Sequence, residues 1–424
     1  MQPRLIGARW KIVTTGSALA MAVLLCACSD ASSVAGGGAG SAPAAGGPEG
    51  GPDPLPRRTD TPELRVTTVA ADFEHVWDLG FLPDGRILVT ERGGRLSLLA
   101  NGEPGAAVTP VDADFDDILA RGEGGLMGVV IHPDFARTGR FTTCQTHVDG
   151  AGNATDVRLV TWELTAPVGG PASARRVVDP LVGGLPINPS GRHSGCRPTL
   201  APDGTLLVGT GDSARGNIAQ DLGALGGKTL RIDLATGGPP PGNPFADAAD
   251  PAQRLIWTYG HRNVQGLAVQ PGTGQAYSAE HGPDTDDEVN VLRAGANYGW
   301  DPAQGGTAGG YDESVPMTDL ARFPDAVEAV WSSGRPVEAI CGAAFISGPQ
   351  WGALDGVLAV GALRGEKLLL MTIGPDGVVS AVGVPEQFDG SFGRLRGVRS
   401  GPDGTLYVAT SNGSNDKVLR VDPV

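Results

Sequence analysis

The sequence predicts an all-β chain folded as a six-bladed β-propeller of four-stranded antiparallel blades. Three observations predict it. Glycine and proline, 66 and 34 of 424 residues, interrupt the chain too often for long helices. Hydrophobic residues make up 40% and charged residues 19%, which suits a large core rather than a disordered chain. From Leu64 onward, short apolar runs recur behind one turn signature, Pro-Asp-Gly. Length alone permits two or three domains, and the recurrence favours one closed body.

The first element is not part of that body. Arg4, Arg9 and Lys11 precede an uncharged apolar stretch, Ile12 to Ala27, that is shorter than the roughly 20 residues of a membrane span. Residues 1–27 therefore read as an export signal. Leu25-Cys26-Ala27-Cys28 resembles the lipobox of bacterial lipoproteins, which implies lipidation of Cys28, and Ser29 behind it resembles the outer-membrane sorting type. The expected location is the bacterial cell envelope, facing periplasm or exterior, with the membrane touched only through this anchor. Residues 28–63, with GGGAG and GGPEGGPDPLP, lack apolar periodicity and read as a flexible tether.

The blades follow, in residues 64–424. Four hairpins are explicit: FLPDGRILVTE (81–91), LAPDGTLLVGTGD (200–212), IGPDGVVSAV (373–382) and SGPDGTLYVATS (400–411). In each, proline presets φ, aspartate caps the turn, and glycine tolerates positive φ before apolar residues resume. IHPDF (131–135) and VQPGTG (269–274) are looser relatives. Six landmarks over this span give about 60 residues per unit, enough for a four-stranded blade and a long loop. A sandwich gives no reason for that spacing, and a β-helix repeats in shorter coils of about 20 to 25 residues. Of the three cysteines beyond the lipobox, Cys144 in a strand-like run and Cys196 behind His193 pair best, leaving Cys341 as a buried thiol; connectivity stays open at this point.

Charge narrows the partners. The chain carries −15, and without the signal segment 29 basic residues face 47 acidic ones, net −18. Such a surface repels a phosphate backbone, so no nucleic-acid partner is expected. Phosphate-cradling glycine loops, HExxH and GxSxG are absent from the sequence, which disfavours nucleotide, zincin and α/β-hydrolase chemistry.

Several strings, in order from about residue 64 to the C-terminus, carry a resemblance: VWDLGFLPDGRILVTERGGRL (76–96), GEGGLMGVVIHPDF (122–135), RHSGC (192–196), AQDLGALGGKTLRID (219–233), YGHRNVQGLA (259–268), EHGPDTDDEVN (280–290), GANYGW (295–300), GALRG (361–365) and GRLRGV (393–398). Together they resemble the glucose/sorbosone dehydrogenase family, whose soluble members use pyrroloquinoline quinone (PQQ) and calcium on a six-bladed propeller. The resemblance implies a PQQ-dependent oxidoreductase that oxidises an aldose or oligosaccharide at C1 to the lactone and passes electrons to a respiratory-chain acceptor or a dye.

It also implies roles. His193, in H-x-G-x-R, matches the catalytic base, which at near-neutral pKa can take the anomeric hydroxyl proton. Arg262 and Asn263 match a quinone-contacting pair, the guanidinium able to polarise the reactive carbonyl. Arg394 and Arg396, two apart and so expected on one face of a strand, match a pair that meets the cofactor carboxylates. Gly282 and Pro283 would offer carbonyls to a cofactor-site calcium, while Glu288 and the Tyr298 carbonyl would hold a structural one.

Four positions depart from the family pattern. Glu123 stands where glucose-oxidising members have a glutamine beside the quinone, and would face an anionic ligand unless protonated or paired with Arg121 or another cation. Arg364 replaces a cofactor-contacting lysine. Arg192 precedes His193 where some members carry an acid that could orient the base. Val264 follows Asn263 in place of proline. Glu123 and Arg364 support an alternative, a calcium-stabilised propeller that acts as a non-catalytic binding lipoprotein.

Overall fold

The computed structural model describes residues 55–56, 58, 62–304 and 310–424. The signal segment, Cys28 and nearly all of the 28–63 tether lie outside the described residues.

Each Pro-Asp-Gly turn folds for the reason its residues suggest. Gly85, Gly204, Gly377 and Gly404 hold φ between +80° and +87°. The preceding aspartates, Asp84, Asp203, Asp376 and Asp403, each accept the backbone N–H two residues on, at 3.0–3.1 Å. Five of the six landmarks join the first and second strands of an antiparallel set. The sixth, Pro375 to Gly377, joins the third and fourth strands of its sheet, Leu368–Ile373 and Val379–Gly383.

The described strands form four four-stranded sheets and one of eight. The eight-stranded sheet consists of two antiparallel halves joined only by a short parallel pairing, Val111 with Ala172 and Asp112 with Ser173. In the last sheet, Leu64–Phe73 pairs with Asp416–Pro423, so the two ends of the body close on each other. The first strands, Val76–Phe81, Leu126–Ile131, Gly195–Leu200, Val264–Val269, Ile340–Phe345 and Leu395–Ser400, pack each against the next and the last against the first. This is a propeller-like ring. Their buried faces fill the space between sheets; one such cluster contains Tyr277, Val289, Ile340, Phe345, Val360 and Met371.

Two devices tie the ring together. Cys144 and Cys196 form a buried disulfide across neighbouring sheets, Cα atoms 6.0 Å apart, and Cys341 is the buried free thiol. Asp78, fully buried, is ion-paired with Arg197 at 2.9 Å and accepts from Arg399 at 2.6 and 2.8 Å and from the Val129 N–H at 3.1 Å. One carboxylate thus joins four of the first strands.

A local irregularity recurs in all six first strands: pairing with the second strand slips near the start, between Val76 and Asp78, Leu126 and Val129, Gly195 and Arg197, Val264 and Gly266, Ile340 and Ala343, and Leu395 and Gly397. Bulges of this kind re-aim side chains, and here they do so at the end of the ring where the chemistry-bearing residues collect.

Candidate active site

In an antiparallel set, the start of the first strand and the end of the second lie at the same end of the sheet. The sequence places Glu123, His193, Arg262, Asn263 and Arg394 just before first strands, and Asp212 and His281 just after second strands. The fold therefore gathers them.

His193 is buried and holds φ at +49°, a left-handed conformation that a histidine keeps only where its surroundings enforce it. Its Nδ1 lies 2.7 Å from Asp212 Oδ1. Asp212 is fully buried and accepts also from the Ala214 N–H and Trp300 Nε1, both at 2.8 Å, and from the Tyr311 hydroxyl at 2.8 Å. Burial opposes ionisation of Asp212, but the His193 hydrogen bond and charge, Arg262 and the Trp300 N–H outweigh it and hold the carboxyl below its ordinary value. An ionised Asp212 takes the Nδ1 hydrogen of His193, which leaves Nε2 as the ring's proton-accepting atom.

Arg262 is buried beside this pair. Its Nη1 donates to the His281 carbonyl at 2.9 Å, its Nη2 pairs with Glu313, and its backbone N–H bonds to Glu280. Among the described residues its Nε is buried without a partner, as is Nε2 of His281. Burial drives the pKa of His281 down to about 3, so this imidazole is neutral.

Glu123 is partly buried and makes the central connection. Its carboxylate accepts from Asn263 Nδ2 at 3.0 and 3.1 Å, from Gln265 Nε2 at 2.6 Å and from the Ser194 N–H at 3.1 Å. Arg396 Nη1 donates to Gln265 Oε1 at 3.1 Å, so a hydrogen-bonded chain runs from Arg396 to Glu123. Burial disfavours the Glu123 charge, yet His193, the Asn263 amide and Arg396 help to outweigh it and lower its pKa.

Several expectations change. Arg121 does not pair with Glu123: its Nη1 reaches the Pro189 carbonyl at 3.3 Å, and side-chain amides serve the carboxylate instead. Arg192 pairs with Glu313, 3.0 Å away. Arg394 and Arg396 differ in their surroundings. Arg394 is exposed ahead of the strand, with Nη1 3.4 Å from the Leu363 carbonyl, whereas Arg396 is buried at the bulge, 5.3 Å from the Trp77 ring. The bulge breaks the alternation on which the expectation of one shared face rested. Arg364 is exposed on the neighbouring segment.

Glu288 sits directly across from Glu280 in adjacent strands and accepts from Thr318 Oγ1 at 3.1 Å. Burial, then the Glu280 charge, raise its pKa to about 8. Gly282 donates its N–H to Asp287 at 2.9 Å in the loop that leads into Glu288, with Pro283 beside it. The Tyr298 ring stacks on His261, centroids 4.4 Å apart. Among the described residues, no group of three or more His, Cys, Asp or Glu side chains forms a metal cluster.

Sequence reasoning missed Asp212, Gln265, His281, Trp300, Tyr311 and Glu313. The first four stand inside strings already singled out (TGD, RNVQG, EHG and NYGW), so the strings marked the site without separating its parts. Tyr311 and Glu313 lie in a stretch with no repeat to flag them. A cavity of about 260 Å³ lined by His132, Asp134, Arg140 and Thr161, among others, shares no residue with the cluster.

The chain matches the glucose/sorbosone dehydrogenase family over residues 73–420. It is 31% identical over 373 residues to the aldose sugar dehydrogenase YliI of Escherichia coli, covering 85% of this chain and 93% of that protein. Among solved structures, it is similar to a glucose dehydrogenase described as a putative oxidoreductase from Thermus thermophilus (35% identity, 84% and 99% coverage, TM-score 0.66). It is similar also to the PQQ-bound aldose sugar dehydrogenase of Streptomyces coelicolor (28% identity, 85% and 99% coverage, TM-score 0.66).

Proposed function

The chain belongs to the glucose/sorbosone dehydrogenase family, and from that premise we propose that it oxidises an aldose at C1 to the lactone with PQQ as cofactor. The observation that carries this reading is the buried His193–Asp212 pair, 2.7 Å apart, beside the buried Arg262. We read the eight-stranded sheet as two blades that share an outer edge, which makes the ring six-bladed.

The residues present fit an anionic quinone. Among the described residues, Arg262 Nε and His281 Nε2 are buried without partners, and such groups call for a ligand. Arg396 is buried near them, with Arg394 and Arg364 exposed close to the same end. When bound, the quinone would supply a two-electron acceptor that no side chain provides. His193 Nε2 accepts the proton of the C1 hydroxyl, and Asp212 steadies the imidazolium that results. Arg262 and Asn263 would hold the cofactor's polar edge, and Arg364, Arg394 and Arg396 its carboxylates. Glu123, which in sequence favours the binding-protein alternative, has its charge met by amides and by the chain leading to Arg396, and so does not leave a bare anion toward the ligand. The electron acceptor beyond the cofactor is a respiratory component or a dye.

The reading is tested by adding PQQ and calcium to the purified protein and following dye reduction with a panel of aldoses. Turnover with at least one aldose is expected. Failure to bind PQQ at micromolar concentration, together with no turnover, would overturn it.

Calcium is assigned to Glu288 with the Tyr298 carbonyl, and to the Gly282 and Pro283 carbonyls at the cofactor side. Two carboxylates opposed across a strand pair, one raised to about 8, describe a place short of positive charge. Without metal, the folded chain keeps the Glu288 proton between its ordinary 4.5 and about 8, while the unfolded chain has released it. Stability from this group therefore falls as pH rises through that interval. Calcium, by favouring the ionised form, should raise the melting temperature more at pH 8 than at pH 5. An equal calcium effect at both pH values, or none, would remove Glu288 from the ligand set.

A further inference from the structure

The carboxylates of this site differ in what they have left to accept. A carboxylate offers about four acceptor positions. Asp212 takes four donors from the protein and is fully buried. Glu123 takes three donors, from Asn263, Gln265 and Ser194. Glu313 accepts only from two guanidinium groups, Arg262 through Oε1 and Arg192 through Oε2, among the described residues. Its side chain is 36% exposed and that of Arg192 50%, whereas His193 and Arg262 are nearly closed off. Solvent, and so a substrate, meets the cluster at the Arg192–Glu313 pair.

The surroundings fix where Glu313 stands. Tyr311, two residues before it, bonds to His193 and Asp212, and the Arg192 guanidinium lies 5.7 Å from the Tyr311 ring. Arg262 draws the same carboxylate inward. The outcome is an ionised acceptor with spare lone pairs and a neighbouring cationic donor, both within the electrostatic reach of His193. That combination suits a neutral polyhydroxyl compound, whose hydroxyls can donate to one group and accept from the other.

We propose that Glu313, held by Arg192, is a specificity-determining residue that accepts hydroxyl hydrogens of the saccharide seated beside His193. The inference rests on the sugar-dehydrogenase reading above and extends it to a residue with no counterpart in the motifs that carried it. A sugar that lacks the matching hydroxyl leaves the carboxylate partly desolvated and unpaired, which is how polar sites discriminate.

The test uses the full protein loaded with PQQ and calcium, with wild type, Glu313→Gln and Glu313→Asp compared on aldoses and their singly deoxygenated analogues. Thermal melts establish that each variant is folded, and absorbance titration gives cofactor affinity. Glu313→Gln is expected to raise KM about tenfold, a larger change than that in kcat, and to erase the preference for one parent sugar over its deoxy analogue. Glu313→Asp should restore part of that preference. Unchanged KM and unchanged ranking in both variants, or a loss confined to cofactor affinity, would overturn the proposal while leaving the parent reading intact. Absence of any wild-type turnover would instead overturn the parent reading, and this one with it.

Discussion

His193→Ala is expected to lower kcat by about 10²- to 10⁴-fold, the range for removing a positioned general base, while PQQ affinity changes only a few-fold. The split follows from geometry: the ring is committed to Asp212 through Nδ1, and in the proposed complex the cofactor's charges would be met by Arg262, Arg364, Arg394 and Arg396. Asp212→Asn sharpens the test. An amide in that place cannot accept the four donors that Asp212 accepts, and its own N–H groups face some of them. If the amide N–H is turned to His193, the ring proton moves from Nδ1 to Nε2, the atom needed as acceptor. Asp212→Asn should therefore fall nearly as far as His193→Ala, and the double variant little further, because the two act as a unit. Steady-state dye assays beside an absorbance titration of cofactor binding measure both quantities. A His193→Ala enzyme with wild-type kcat would remove His193 from the base role.

The largest stability effect is expected at Asp78. Asp78→Asn leaves Arg197, fully buried, and Arg399, mostly buried, without their anion. Breaking a buried ion pair from one side costs about 3–5 kcal/mol, here spread over four first strands. Guanidinium unfolding of the metal-free protein should show that loss. Arg197 also bonds to the Gln265 carbonyl at 2.9 Å, so weaker cofactor binding should accompany it. The pH sense follows from the carboxyl itself. Burial raises its pKa, but Arg197 and Arg399 hold it below its ordinary 3.8. Its stabilisation is complete above that pH and drains away as pH falls below it, and the variant should lack this part of the acid transition. A variant as stable as wild type would mean that the knot is dispensable.

How legible the site was depended on how local its determinants are. His193, Arg262 and Asn263 stand in short strings beside strand starts, and a sequence reading finds them. The unequal burial of Arg394 and Arg396 was not legible, because strict alternation holds only without a bulge, and the slip between Leu395 and Gly397 arises from pairing with another strand. The setting of Glu123 was hidden in the same way. Its partners Ser194, Asn263 and Gln265 come from other sheets, at separations of 71 to 142 residues. Nothing adjacent in the chain announces them. Six turn landmarks also suggested six units, although one of them, at Pro375, joins the third and fourth strands of its sheet rather than the first and second.

By itself, the sequence determined the hairpins, the all-β class and the family, because a turn is decided by the φ of a glycine and the reach of an aspartate within four residues. Only the tertiary structure decided which charges meet. Closure of the ring brings Asp212 to His193, Glu313 to Arg192 and Arg262, and amides to Glu123, and the electrostatics of a buried group depend on neighbours a few ångströms away in space, however distant along the chain.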